Sequence, residues 1–164
     1  MYVDLERELP LSMRRAAEDA AVDWTVIVPF FNERELLADT IASLARQIVP
    51  FRLILVDNGS TDGSAAVAEA AARRHRLDYM LVTERTPGKV SALRAGFGWS
   101  RTRWTATCDA DTLYPPHYLA TAGELLSRRN CVTAGAYFVD PGANADDRAA
   151  RAGTIRLEIG RAHV

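Results

Sequence analysis

Five short apolar segments alternate with helical patterns between residues 24 and 139, and this alternation constrains the fold more than any other feature. The segments are typical of buried strands: WTVIVPF (24–30), FRLILVD (51–57), YMLVTE (79–84), WTATCD (104–109) and CVTAGAYFV (131–139). Helical patterns lie between them, at 33–47, 61–75, 89–100 and 115–129. Strands that alternate with helices form a mostly parallel sheet covered on both faces. The sequence therefore predicts an α/β fold.

The length of 164 residues, with 48% hydrophobic residues, suits one compact domain. We expect it to span residues 23–157, after a helical leader at 1–22 in which arginines alternate with apolar residues. A formal net charge of −1 argues against nucleic-acid binding, which usually needs a basic excess. No apolar run approaches the roughly 20 residues of a membrane helix, so any membrane association would need further sequence.

The two cysteines, Cys108 and Cys131, lie in separate apolar segments without metal-ligand spacing. We expect buried free thiols, which suit a reducing cytoplasm. The localisation predicted for this chain is therefore cytoplasmic, at the inner face of a membrane if other parts of the protein anchor it.

Four polar clusters each follow a predicted strand: FNE (31–33), DNGSTDG (57–63), ERTPGK (84–89) and DADT (109–112). Parallel sheets bind their ligands at the carboxyl ends of the strands. We therefore expect the four clusters to converge on one rim of the sheet.

The first two clusters allow two interpretations each. Asp57 ends a strand, where its carboxylate can accept hydrogen bonds from a base or a ribose, yet the same turn is typical of an ordinary helix start capped by Ser60 or Thr61. Asn32 and Glu33 either face the ligand or begin a helix as its cap and first-turn acid.

The other two clusters indicate charge chemistry. Lys89 is predicted at a helix start, where the partial positive charge of the helix dipole does not stabilise a cation. An anionic partner of Lys89 is therefore favoured. Asp109 and Asp111 point to one side of an extended segment, so they need a cation between them or a shared proton. Mg²⁺ and Mn²⁺ suit such a pair, with phosphates and waters as the remaining ligands. The alternative is that one of them caps the helix near Pro115.

The sequence lacks the residue spacing of three other kinds of binding site. A phosphate-binding Walker loop would need glycine at Thr83 and a hydroxyl residue at Val90. The run GFGWSR, from Gly96, lacks the third glycine of a dinucleotide fingerprint. The three histidines form no cluster: His75, His117 and His163.

Together the motifs VIVPFFNERELLADTIASL, LILVDNGSTDGS, PGKVSALRAGF and CDADTLYPPHYL resemble the inverting, family 2 type of nucleotide-sugar glycosyltransferases with the Rossmann-like GT-A fold. The resemblance runs from about residue 24 to residue 119 and covers the donor-binding part of that fold. In two places the chain departs from many relatives, which have a second acid where it has Asn58 and an asparagine where it has Arg94.

The resemblance implies a role for each matching residue. Pro29, Asn32 and Glu33 would line the nucleotide pocket, and Asp57 would hold the base, usually uracil in relatives. Lys89 would lie near the nucleotide, and Asp109 with Asp111 would form the metal-binding D-x-D for Mn²⁺ or Mg²⁺. The implied reaction is direct displacement at the anomeric carbon by an acceptor hydroxyl of a glycan, a lipid or another molecule.

The catalytic base is the missing part, and we expect it beyond residue 164. Asp140, Asp146 and Asp147 are available after the D-x-D, but they lie in a loop predicted on the acceptor side and are not expected to be the base. The last seven residues, EIGRAHV (158–164), are what the DNA string GAGATCGGAAGAGCACACGTC encodes, and that string resembles a common sequencing adaptor. We therefore expect a non-native tail and a fold truncated at its C-terminus.

Two alternative functions stay open. One is a nucleotide-binding module of the same fold without catalysis. The other is a phosphatase like the haloacid dehalogenases, which also use Asp-x-Asp at a strand end. In that family the motif ends the first strand and a Thr or Val stands at the position of Leu113, whereas here the motif follows the fourth predicted strand.

Overall fold

A computed structural model describes residues 22–129 and the backbone of two short strands at 135–138 and 155–158. Strands and helices alternate as the sequence predicts: β1 Trp24–Phe30, α1 Leu37–Leu44, β2 Phe51–Asp57, α2 Ser64–Arg74, β3 Tyr79–Thr83, α3 Lys89–Trp99, β4 Trp104–Thr107, α4 Tyr118–Arg129, β5 Gly135–Phe138 and β6 Ile155–Glu158. The predicted leader helix, Cys131 and the acids at 140–147 lie outside the described residues.

The first four strands form one parallel sheet in the order β3-β2-β1-β4. The chain moves outward from β1 through β2 to β3 and then returns to the other side of β1 with β4. Crossovers between parallel strands are right-handed, so helices on the two sides of this reversal cover opposite faces. The reversal also opens a crevice at the carboxyl ends of β1 and β4.

Alternate residues of β1 face opposite sides of the sheet, and each side has its own buried cluster. Val26 and Val28 face a cluster that includes the buried residues of α1, α2 and α4, whereas Ile27 faces Ala92 of α3 on the opposite side. The chain thus has helices on both faces, as predicted. Gly96 lets α3 approach β1 closely, because a Cβ at that position would lie 2.5 Å from Cγ2 of Ile27.

Several element boundaries differ from the sequence prediction. Helix α1 is shorter than the predicted 33–47, and Leu36 is exposed while Leu37, Ile41 and Leu44 are buried. The alternative in which Ser60 or Thr61 caps α2 is wrong: Gly63 is the N-cap of α2, without a side-chain cap bond. The Ser60 hydroxyl instead accepts a hydrogen bond from the backbone of Asn32, at 3.0 Å.

Of the fifth predicted strand the structure describes β5, which pairs antiparallel with β6 in a separate two-stranded sheet. The sequence from Ile155 to Glu158 alternates apolar and charged residues, a pattern typical of a half-buried strand that was not predicted. In the part of the chain that is described, none of the helices combines the length and the hydrophobicity needed to cross a membrane.

Candidate functional site

A cavity of about 300 Å³ lies at the carboxyl ends of β1 and β4, at the reversal of the sheet. All four polar clusters contribute lining residues, and the cluster at 84–89 does so through Lys89. Its lining residues are Pro29, Phe30, Phe31, Glu33, Asn58, Lys89, Ala92, Asp109, Ala110 and Asp111. Five of the seven candidate residues therefore meet here, while Asn32 and Asp57 are not among the lining residues.

Lys89 begins α3 and forms an ion pair with Asp109, two residues beyond the end of β4. The side chains of both remain more than half exposed, at 62% and 57%. A cation therefore does lie beside the acidic pair, and in this structure it is the ammonium group of Lys89. An exposed pair of this kind is worth only about 0.2–1 kcal/mol, so a stronger cation or anion can separate it.

Asp111 is exposed, and its carboxylate accepts a hydrogen bond of 3.3 Å from the hydroxyl of Thr112. Helix α4 begins only at Tyr118, several residues beyond both acids. The exposed carboxylates of Asp109 and Asp111 are hard oxygen donors on the wall of one cavity. Within residues 22–129, no group of three or more acidic, histidine or cysteine side chains is placed to hold a metal ion. This donor set fits Mg²⁺ or Mn²⁺ that takes its remaining ligands from phosphates and water.

Asp57 lies at the end of β2 and is 7% exposed. One of its carboxylate oxygens, Oδ1, accepts the backbone N–H of Ser60 at 2.8 Å. Gly59 turns the chain between them with φ of 83°, the left-handed region that glycine adopts without strain. The carboxylate is therefore held in one orientation by its own turn.

Asn32 joins the loop after β1 to the loop after β2. Its side-chain oxygen accepts the N–H of Thr61 at 2.9 Å, and the N–H of Glu33 donates to the hydroxyl of Ser64 at 2.8 Å. Asn32 adopts φ of 55°, which is uncommon for a residue other than glycine but tolerated by asparagine. Asn32 borders a second, polar depression on the far side of Glu33.

Asn58 is a cavity residue whose role the sequence did not indicate. Its side-chain amide donates to the carbonyls of Glu84 and Thr86, at 3.0 and 2.8 Å, and its oxygen accepts the N–H of Gly88 at 2.7 Å. These bonds hold the loop that ends at Lys89. An aspartate at this position would place a carboxylate oxygen against two carbonyls, which gives a physical reason for the asparagine in this chain.

Phe31 is a second residue that sequence reasoning missed. It lines the cavity with 57% of its surface exposed, beside Pro29. An exposed aromatic ring at a polar cavity offers an apolar face for a planar ligand group. Its position directly before Asn32 in the first polar cluster was the available signal.

A buried tyrosine holds the backbone of Asp109, and a buried thiol precedes it in the chain. The hydroxyl of Tyr114 accepts the N–H of Asp109 at 2.7 Å. Burial raises the pKa of Tyr114 above its ordinary value and raises the pKa of the neighbouring Cys108 thiol to about 12. Both groups therefore stay protonated and neutral at physiological pH. Cys108 is a buried free thiol, as predicted.

Comparison with known proteins identifies the family. The model of glycosyl transferase family 2 matches residues 25–161, so the chain belongs to this family. Glycosyltransferase YaiP of Escherichia coli is 34% identical over 90 residues, which cover 55% of this chain and 23% of that protein. The undecaprenyl-phosphate 4-deoxy-4-formamido-L-arabinose transferase of Proteus mirabilis is 37% identical over 109 residues, covering 61% of this chain and 33% of the enzyme. The chain thus spans a quarter to a third of the length of these relatives.

Solved structures show the same fold. The mannosyltransferase PcManGT of Pyrobaculum calidifontis, in complex with GDP-mannose and Mn²⁺, superposes with a TM-score of 0.64 at 30% identity, over 68% of this chain and 34% of that one. Glucosyl-3-phosphoglycerate synthase of Mycobacterium tuberculosis gives a TM-score of 0.56 at 23% identity, over 70% of this chain and 43% of that one. The expected GT-A fold is thereby confirmed.

Proposed function

We propose that this chain of glycosyl transferase family 2 binds a nucleoside-diphosphate sugar at the β1–β4 cavity and serves sugar transfer by a metal-assisted, inverting displacement. The observation that carries the proposal is the meeting of Asp109, Asp111 and Lys89 on one cavity wall at the reversal of the sheet. Two acids for a divalent cation and one ammonium group for an anion together suit a diphosphate.

Each candidate residue has a part in this proposal. Asp109 and Asp111 would hold Mn²⁺ or Mg²⁺, which when bound neutralises charge that develops on the leaving diphosphate. Lys89 would leave Asp109 and pair with the diphosphate instead, so its charge stabilises the same leaving group. Pro29 and Glu33 shape the cavity, and Phe31 offers a ring face to the base.

Asp57 and Asn32 act from the edge of the cavity. The second oxygen of the Asp57 carboxylate is the group we propose for an N–H of the base, because Oδ1 already holds the turn. Asn32 holds the loop after β1 against the loop after β2, and the base would lie between these two loops. UDP is the nucleotide we favour, as in the relatives that the motifs resemble, and GDP is the competitor because PcManGT was solved with GDP-mannose.

In the proposed reaction a hydroxyl oxygen of the acceptor attacks the anomeric carbon, the bond from that carbon to the diphosphate oxygen breaks, and a carboxylate takes the hydroxyl proton. The hydroxyl belongs to a glycan or a lipid. The undecaprenyl phosphate in the name of the Proteus mirabilis relative supports a lipid, and a phosphate acceptor of that kind would attack through an already ionised oxygen without a base. None of the residues described here is assigned as the base. We place the reaction in the cytoplasm, at the inner face of a membrane when the acceptor is a lipid.

Calorimetric titration tests the proposal on the chain as it stands. UDP and GDP are titrated separately with Mn²⁺ present, and again with EDTA in its place. We expect one nucleotide to bind with Mn²⁺ and to lose most of its affinity in EDTA. A nucleotide affinity that is the same with Mn²⁺ and with EDTA would contradict the proposed role of Asp109 and Asp111. Hydrolysis of a generic phosphate monoester would favour the phosphatase, and donor binding without transfer by the whole protein would favour the non-catalytic module.

A further inference from the structure

Helix α1 and the turn after it direct three polar side chains toward the segment that follows β4. Thr40 and Ser43 of the helix are each 1% exposed, and Gln47 lies three residues beyond the end of the helix. Buried hydroxyl groups inside a helix are costly unless they find hydrogen-bond partners. Here all the hydrogen-bond partners belong to residues 110–119 or to the helix itself. The three side chains therefore attach the segment 110–119 to α1 and the turn after it.

Thr40 makes the bond closest to the two acids. Its hydroxyl donates to the carbonyl oxygen of Ala110 at 2.7 Å, and Ala110 is itself 5% exposed. Ala110 is the residue between Asp109 and Asp111, so this bond holds the peptide that joins them. The ladder of β4 has already ended at this point, because its last backbone bond runs from the N–H of Cys108 to Ile27.

The next two side chains continue the attachment. The hydroxyl of Ser43 accepts the N–H of Tyr114 at 2.9 Å and donates to the carbonyl of Thr40 at 2.7 Å. The amide of Gln47 donates to the carbonyl of Pro115 at 2.7 Å and accepts the N–H of Leu119 at 2.9 Å. Three side chains of α1 and of the turn after it thus hold the segment that runs from the acids to α4.

We infer that Thr40 is a positioning residue for the Asp109–Asp111 pair: its hydroxyl holds the Ala110 carbonyl and thereby the backbone from which both carboxylates extend to the metal. The inference rests on the proposed function, because it concerns the same metal. Thr40 acts through Ala110 and does not itself line the cavity.

Thr40→Val is the direct test, because valine keeps the shape and removes only the hydroxyl. The Ala110 carbonyl then stays buried without this donor, and the acidic segment relaxes away from α1. Loss of a group that orients metal ligands typically costs about 10–100-fold in metal affinity. We therefore expect Mn²⁺ to bind at least about tenfold more weakly to Thr40→Val in saturating UDP, and Thr40→Ser to restore the affinity.

Thr25→Val is the matched control. Thr25 is also 1% exposed, and its hydroxyl shares a hydrogen bond of 2.7 Å with that of Thr102, at the opposite end of the strands. Both valine variants lose one buried hydroxyl bond, so both should unfold at lower urea concentrations. Only Thr40→Val should lose Mn²⁺ affinity, measured from the free-ion signal in electron paramagnetic resonance.

The outcomes separate this inference from the proposed function. If the wild-type chain binds no Mn²⁺ with either UDP or GDP, both are overturned. If it does, and Thr40→Val stays within twofold of Thr25→Val, only the role of Thr40 is overturned. Should Thr40→Val fail to fold, Thr40→Ala replaces it: we expect the same loss of at least about tenfold, and an unchanged affinity would equally overturn the inference.

Discussion

Lys89 and Asp109 form an ion pair across the cavity, between the first residue of α3 and the loop after β4. In the proposed function a divalent metal would bind the same carboxylate of Asp109. We therefore expect metal and lysine to compete for this carboxylate until a diphosphate gives the lysine another partner. Because both side chains are exposed, this competition is worth at most about 1 kcal/mol.

Lys89→Met should change two affinities in opposite directions. Without the ammonium group, Mn²⁺ alone should bind up to about fivefold more tightly, whereas UDP in the presence of Mn²⁺ should bind more weakly. Arg94→Met is the control, because Arg94 is an exposed cation of the same helix that is absent from the cavity lining. Calorimetric titration measures both affinities, and a fall in both for Lys89→Met would contradict the competition.

Asn58→Asp should destabilise the fold although the two side chains have the same shape. The change removes both donors to Glu84 and Thr86 and sets a negative charge against their carbonyls. Two lost hydrogen bonds cost about 1–3 kcal/mol in the free energy of unfolding. Urea denaturation measures the change, and Asn58→Ala, which adds no charge, should be no more destabilising. An aspartate variant as stable as the wild type would show that the amide does not hold the loop.

Gly96→Ala and Gly98→Ala should have opposite effects within one helix. A methyl group on Gly96 meets Cγ2 of Ile27 at 2.5 Å, so α3 must move off the sheet, at a cost of about 1–3 kcal/mol. A methyl group on Gly98 meets nothing within 4 Å, and alanine should gain up to about 1 kcal/mol over glycine there. Thermal unfolding measures both variants. Equal shifts would mean that the packing of α3 on β1 is looser than the structure shows.

The stability of the fold should fall in mild alkali because of Cys108. Burial raises the pKa of this thiol from 9.0 to about 12, so the folded state keeps the proton that the unfolded chain releases. The contribution of the protonated thiol to the free energy of unfolding is therefore complete below about pH 9 and is lost as the pH rises from 9 toward 12. The loss should reach about 1 kcal/mol by pH 10.

Urea denaturation between pH 8 and pH 10 measures this loss, with Cys108→Ala as the control whose stability should decline less. Burial also raises the pKa of Tyr114 and Tyr118 above the ordinary value of 10.0. The stability that these two protonated groups contribute is therefore lost at higher pH than that of Cys108. Alkylation followed by peptide mapping separates Cys108 from Cys131, and rapid labelling of Cys108 in the folded protein would contradict its burial.

The sequence predicted those features that depend on local pattern. The alternation of WTVIVPF, FRLILVD and their successors with helices led to the parallel sheet, and the rule for strand ends brought Lys89, Asp109 and Asp111 to one rim. The turn after β2 is likewise a local feature, because Gly59 within it supplies the positive φ.

The features that depend on distant partners were not predicted. Thr40 and Ser43 resemble ordinary small polar residues of a helix, and only the fold brings residues 110–114 over them. Asn58 stood out as a departure from relatives, yet its purpose becomes visible only where the 84–88 loop returns to it. The pairing of β5 with β6 likewise joins segments about twenty residues apart that local patterns do not connect.

The measurement that tests the central claim most directly is the affinity of UDP, with Mn²⁺ and with EDTA, for the wild type, Asp111→Asn and Asp39→Asn. Asp39 is an exposed acid of α1 outside the cavity, so its variant matches the chemistry of the first. We predict that Mn²⁺ strengthens UDP binding at least about tenfold for the wild type and Asp39→Asn, and not for Asp111→Asn. The same dependence on Mn²⁺ in all three proteins would contradict a metal site at Asp109 and Asp111.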